Sequence, residues 1–308
     1  MEKNLSALGF MSGTSGDGVD TSVISSNGKD TINIKYNRFD PYPTSLSNKI
    51  HRVKESISKM QDLLKDSSEI DKLELEITDF HIDIAIKTNK EVDYDLIGFH
   101  GHTIYHNTEE KISKQIGLGA NLSKLTNKDV VYNFRQNDIK NGGEGAPLSP
   151  IYHLALIKSL FNENKVKIPI SILNIGGIAN ITEIEKDFKI SSRDIGPGNC
   201  LIDKWIRKNS DKLFDENGTL ADKGKTDKFI FDQYLDNYYY SKVNSKRSLD
   251  TNDFDISFAK GLSLENGTST ITDLTSELLS KKIGINDIYI CGGGRKNKYL
   301  INSLKKKI

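Results

Sequence analysis

The sequence predicts a two-domain α/β protein whose mixed sheets are flanked by helices. Short apolar strands alternate with helix-length amphipathic stretches along 308 residues. Each half opens on a strand, a glycine-bearing turn and a second strand, at 9–20 and again at 173–180. No linker rich in Pro, Gly or Ser divides the halves, so two closely packed domains with a cleft are expected. The boundary is placed at 133/134. Residues 1–133 then form an N-terminal domain, and residues 134–308 a second domain of the same kind.

Leu5 to Met11 reads as a buried strand. Asp20–Ser26 and Thr31–Phe39 alternate about Asn27-Gly28, a hairpin signal, so the chain opens with three antiparallel strands. Apolar residues then recur at helical spacing over 45–65 and 68–89, as in Ile70, Leu73, Ile77 and Phe80. Strands are read at 96–100 and 130–134, and a helix over 147–161 with Pro147 at its start. The second half repeats the opening with strands at 171–175, 179–184 and 188–192. Helices follow near 200–208, 226–239 and 268–281, then a strand at 287–291 and a last helix at 299–306.

Forty-three Lys and Arg against 42 Asp and Glu leave a net charge of +1. That balance gives no electrostatic reason to expect nucleic acid or an anionic membrane as partner. Cys200 and Cys291 lie far apart and make no metal or redox spacing, which suits buried thiols in a reducing compartment. The N-terminus shows no signal-peptide core, and no apolar run approaches bilayer length. A cytoplasmic protein is expected.

Four segments concentrate chemistry. In Gly13-Thr14-Ser15-Gly16-Asp17-Gly18-Val19-Asp20 the glycines let backbone N–H groups curl toward an anion. Asp17 and Asp20 are hard oxygen donors suited to a Mg²⁺ that travels with phosphates. The Gly-Lys-Ser/Thr ending of a Walker loop is missing, and a polar β-turn fits the segment equally well when it is taken alone. Gly176-Gly177 and Gly292-Gly293-Gly294 are two more turns that follow strands, where a nucleotide can approach backbone. Each would also serve as a plain tight turn. Asp194, before Gly196-Pro197-Gly198-Asn199, is a carboxylate placed after a strand for general-base work, or else a helix cap.

Two further segments read as substrate contacts. His100, His102 and Thr103 sit at a strand end with no Cys or carboxylate to complete a metal set, so sugar hydrogen bonding or packing suits them better. Arg135 heads a polar, glycine-rich loop over 133–147. It suits either a clamp on a carboxylate or phosphate, or a surface ion pair.

Together, the segments 9–20, 98–106, 134–150, 173–182, 194–206 and 291–297 resemble the anhydro-N-acetylmuramic acid kinases, in that family's order and over most of the chain. The resemblance implies two ribonuclease-H-like domains of the sugar kinase/Hsp70/actin type, with ATP, Mg²⁺ and a small sugar in the cleft. A homodimer is compatible with it. It also implies that Asp194 activates water to open a 1,6-anhydro sugar while O6 takes the γ-phosphoryl group. Gly13 to Asp20, with Gly176, Gly177 and Gly292 to Gly294, would hold ATP; His100, His102, Thr103, Arg135 and Asn199 would hold the sugar. Four positions depart from the family pattern. Asn133 stands for the usual Asp, His102 for Gln, Glu144 for Gln, and Gly16 for the common Leu. The chain also stops at Ile308, earlier than the pattern does. An inactive, sugar-binding remnant of the fold is therefore the alternative reading. An Hsp70- or actin-like ATPase is a third, against which the 98–106 and 194–199 segments argue.

Overall fold

The structure is a computed structural model that describes residues 4–13, 16–29, 31–65, 67–107, 110–240, 249–284 and 287–308. The chain divides into two compact units, Met1–Val166 and Lys167–Ile308. The division falls later than the 133/134 boundary read from sequence, because the two helices after residue 133 pack on strands of the first unit.

The first unit runs β1 (Leu5–Ser12), β2 (Gly18–Ser26), β3 (Ile32–Pro41), α1 (Thr44–Ser56), α2 (Asp62–Lys65) and α3 (Ser67–Glu91). It continues through β4 (Leu96–Phe99), β5 (His102–Asn107), β6 (Ile112–Ile116), α4 (Gly119–Thr126), β7 (Asp129–Tyr132), α5 (Phe134–Lys140) and α6 (Pro150–Asn162). The main sheet has the order β3-β2-β1-β4-β7, with β5 pairing β1 and β6. The first three strands are antiparallel, and β4 and β7 add in parallel. A parallel neighbour needs a crossover, and α1 to α3 supply it between β3 and β4. Along β1 the inward residues are Ser6, Leu8, Phe10 and Ser12, a strict two-residue period. Leu8 and Phe10 share a core with α3, whose buried Ile70, Leu73, Ile77, His81 and Ile84 form one helical stripe. Burying each such aliphatic side chain contributes roughly 1.5–3 kcal/mol. An apolar groove of about 550 Å³ runs over Ala7, Gly9, Ile24, Leu96 and Gly98 beside Phe134 and Tyr152, away from the glycine turn.

The second unit repeats the plan with β8 (Ile170–Ile175), β9 (Ile178–Ile184), β10 (Ile190–Pro197), α7 (Cys200–Asn209), α8 (Thr219–Lys223), α9 (Lys228–Tyr240), α10 (Leu264–Ser280), β11 (Asp287–Cys291) and α11 (Lys298–Lys305). Its sheet order is β10-β9-β8-β11, again a three-stranded meander with a parallel strand beside its first member. Leu173, Ile175, Ala179, Ile181 and Ile195 pack against Trp205, Ile271, Leu274 and Leu278 of α7 and α10. Both units therefore carry the ribonuclease-H-like plan expected from the sequence. In each, the turn after the first strand and the end of the parallel strand fall at the same edge of the sheet. Ligands of α/β sheets gather at that edge, beyond the strands' carboxyl ends.

Candidate functional site

In the first unit the chain leaves β1 at Ser12 and re-enters the sheet at Gly18. Gly16 N–H donates to Gly13 O at 3.0 Å, closing a tight turn. Gly16 has φ +61°, a conformation that favours glycine, and a Cβ there would meet the His51 ring at 3.2 Å, a tight contact. Ser47 of α1 donates to Gly16 O at 2.7 Å, and Tyr42 N–H donates to Asp17 O at 3.0 Å. Asp17 and Asp20 are both exposed at this turn. Thr14 and Ser15 lie outside the described residues. Among the described residues no group of three or more His, Cys, Asp or Glu could hold a metal ion. A cation held at Asp17 and Asp20 would have to bring most of its ligands with it, on phosphates and water.

At the end of β4, Arg135 Nε donates to His100 Nε2 at 2.7 Å, and Arg135 Nη1 to Gly145 O at 3.3 Å. Two residues expected to contact the sugar are thus brought together. Burial, and then the Arg135 charge, hold His100 down at about 4, so the ring is the neutral acceptor that this bond requires. Gln115 donates to Thr103 Oγ1 at 3.3 Å. His102 is 0% exposed, with Nδ1 2.6 Å from Ser12 Oγ. The ring, expected from sequence to contact the sugar, is buried against Ser12 at the start of the glycine turn. Side chains alternate across a strand, and β5 turns this ring inward.

His81 and His106, like His100 and His102, are held low by burial, His102 at about 3 and the other three at about 4. Unfolded, these rings take protons near 6.5. Between about pH 6.5 and 4 the unfolded chain therefore binds protons that the folded chain refuses, and stability falls as pH drops through that window. The expected result is a lower urea midpoint at pH 5 than at pH 7; equal midpoints would show the rings protonated in place.

In the second unit three glycine turns meet at the end of β8, around Ile175, Gly176 and Gly177. Gly198 N–H and Cys200 N–H donate to Gly177 O at 2.9 and 3.1 Å, and Asn199 N–H donates to Gly176 O at 2.7 Å. A Cβ on Gly294 would lie 2.3 Å from the Ile175 side chain, and one on Gly292 would lie 2.4 Å from Asn174 Oδ1. Gly293 lies near Asn199 Nδ2. Asp194 stands beside this knot, 8% exposed. It lies inside β10 and not after a strand, because the pairing with β9 continues to Pro197 across a bulge between Asp194 and Gly196. Bulges re-aim side chains in this way. Asp194 Oδ2 accepts Leu249 N–H at 2.8 Å, so the carboxylate is anchored as well as buried.

Sequence reasoning missed Tyr42 and Ser47, which tie the turn from outside the motif. Tyr42 lies between Pro41 and Pro43, and that rigid setting was the signal available.

Two ribonuclease-H-like units, one with a glycine turn after its first strand and the other with a buried carboxylate near glycine turns, fit the sugar-kinase class. The comparisons make the family specific. Residues 5–308 match the family "Anhydro-N-acetylmuramic acid kinase". The anhydro-N-acetylmuramic acid kinase of Pelagibacter ubique is 45% identical over 100% of this chain and 84% of that protein. The protein of the same name from Agrobacterium fabrum is 34% identical over 97% and 82%. A solved structure, the activator of 2-hydroxyisocaproyl-CoA dehydratase from Clostridium difficile with bound ADPNP, aligns over 100% of this chain and 86% of that one, with 10% identity and a TM-score of 0.40. The chain belongs to the anhydro-N-acetylmuramic acid kinase family. Among the described residues no helix is long and apolar enough to cross a membrane.

Proposed function

We propose that the chain phosphorylates 1,6-anhydro-N-acetylmuramic acid at O6 with ATP and opens the anhydro bridge with water in the same reaction. The products are N-acetylmuramic acid 6-phosphate and ADP, in cell-wall recycling and amino-sugar catabolism. The observation that carries the reading is the anchored, buried Asp194 beside the glycine turns, in a chain of this family. All the motif-bearing segments lie within the family match, which favours the kinase over the sugar-binding remnant.

Asp194 takes a proton from water as the oxygen bonds to C1. The C1–O6 bond breaks, and O6 bonds to the γ-phosphorus as ADP departs. Water thus supplies the new anomeric hydroxyl, and the anhydro oxygen becomes the phosphate ester. The first-unit turn supplies N–H donors to phosphate oxygens, and Gly176, Gly177 and Gly292 to Gly294 let the nucleotide approach backbone. Asp17 and Asp20 would hold Mg²⁺, directly or through water; when bound, that ion neutralises charge on the transferring phosphoryl group. Arg135, oriented by His100, suits the sugar's lactyl carboxylate, and Thr103 and Asn199 suit its hydroxyl and amide groups. The protein on this reading works in the cytoplasm on a small sugar; assembly into homodimers is compatible with it.

The test is to incubate the purified chain with Mg-ATP and 1,6-anhydro-N-acetylmuramic acid. A 6-phosphorylated reducing sugar, formed one for one with ADP, is expected. ATP hydrolysis indifferent to the sugar would favour a plain ATPase, and sugar binding without turnover the remnant.

A further inference from the structure

Ser12 closes the inward row of β1, where its hydroxyl meets two buried groups. Ser12 Oγ lies 2.6 Å from His102 Nδ1 and 2.8 Å from Tyr42 Oη. Ser12 and His102 are also register partners between β1 and β5. Tyr42 reaches the other end of the turn as well, through its N–H on Asp17 O at 3.0 Å. One tyrosine therefore touches both the entry and the exit of the glycine turn, and its ring is packed on Phe80 at 4.9 Å.

We propose that Ser12, Tyr42 and His102 form a brace behind the glycine turn, with His102 a positioning residue that sets the turn's anion-binding shape without touching the nucleotide. The role rests on the nucleotide reading above. His102 Nε2 is buried and has no partner among the described residues. His102 Nδ1 meets Ser12, the residue that leads from β1 into the turn. Burial keeps the ring neutral, so it can share a proton with the serine hydroxyl without setting a second charge behind the phosphates.

The test compares His102→Leu with His102→Asn in the full chain. The Asn amide reaches the place of Nδ1, whereas Leu fills the volume without a polar atom. Calorimetric Kd for Mg-ADP is read together with KM for ATP and for the sugar. His102→Leu is expected to weaken Mg-ADP and raise the ATP KM roughly tenfold with the sugar KM unchanged, because displaced contacts penalise binding at that end alone. His102→Asn is expected to stay within about threefold of wild type on the same measures. A purely structural histidine would lower kcat through the active fraction and leave the ATP KM alone. That result, or an Asn variant no better than Leu, overturns the brace. If His102→Leu fails to fold, Tyr42→Phe removes only the hydroxyl and is expected to move the same constants in the same direction; unchanged constants there overturn the brace too. A wild type that binds Mg-ADP but leaves the sugar unphosphorylated would sink the reaction assigned above, while the Kd comparison still decides the brace.

Discussion

Asp194→Asn is expected to lower sugar phosphorylation by roughly 10³-fold, within the range found when a general base is removed. The substitution keeps an oxygen where Asp194 Oδ2 now accepts Leu249 N–H at 2.8 Å, so the bulge in β10 and the fold should survive. What disappears is the basic, charged oxygen that takes a proton from water as it attacks C1. ADP release measured with the sugar present, beside a melting temperature close to wild type, checks both halves of the expectation. Wild-type turnover in the Asn variant would show that this carboxylate is an anchor and no base.

Gly198→Ala is expected to cost about 3 kcal/mol of stability and roughly 10 °C in melting temperature, at the upper end for overpacked sites. A Cβ at Gly198 would lie 2.2 Å from Gly176 O and 3.1 Å from its carbonyl carbon. Both neighbours are backbone, and neither can move without breaking bonds that join the turns at Gly177 O and Gly176 O. Gly176→Ala is the control: its nearest contact is Ile178 O at 3.4 Å, ordinary van der Waals range, so it should cost less than about 1 kcal/mol. Thermal melts of the two variants separate contact from composition, since both remove a glycine from the same knot. Equal losses would mean that the knot can spread.

β1 was legible because its buried residues alternate, as Ser6, Leu8, Phe10 and Ser12 do, and β8 because it is a short, nearly continuous apolar run buried at almost every position. The stripe of α3 was legible for the same reason as β1, at a different period. The stretch read as one helix over 45–65 instead breaks into α1 and α2. The β5–β6 hairpin went unread: its burial does not alternate cleanly, and three of its first five residues, His102, Thr103 and His106, are polar. α5 passed for a loop since only Ile139 is buried in it, and a single buried position leaves no period to find. β10 was ended too early. Two glycines and a proline read as a turn, yet the bulge lets pairing run on to Pro197.

The glycine turns and Asp194 were legible as candidates only when the segments were taken together, because each alone also fits a plain turn or a helix cap. Their supports were not. Pattern shows that His102 follows Gly101 but not which face of β5 it takes, and that choice puts its ring against Ser12 at the start of the glycine turn. Likewise Tyr42, just after β3, and Ser47, in α1, come from a stretch that carries no motif. They reach the turn only because the β2–β3 hairpin returns the chain to it.

The most direct measurement is to run the reaction in water enriched in ¹⁸O and weigh the sugar product before its anomeric oxygen exchanges. Attack by Asp194-activated water at C1 predicts one ¹⁸O on the sugar carbon and none in the 6-phosphate. Label in phosphate alone, or an anhydro sugar returned unlabelled while ATP is consumed, would contradict the coupled ring opening and phosphorylation assigned to this chain.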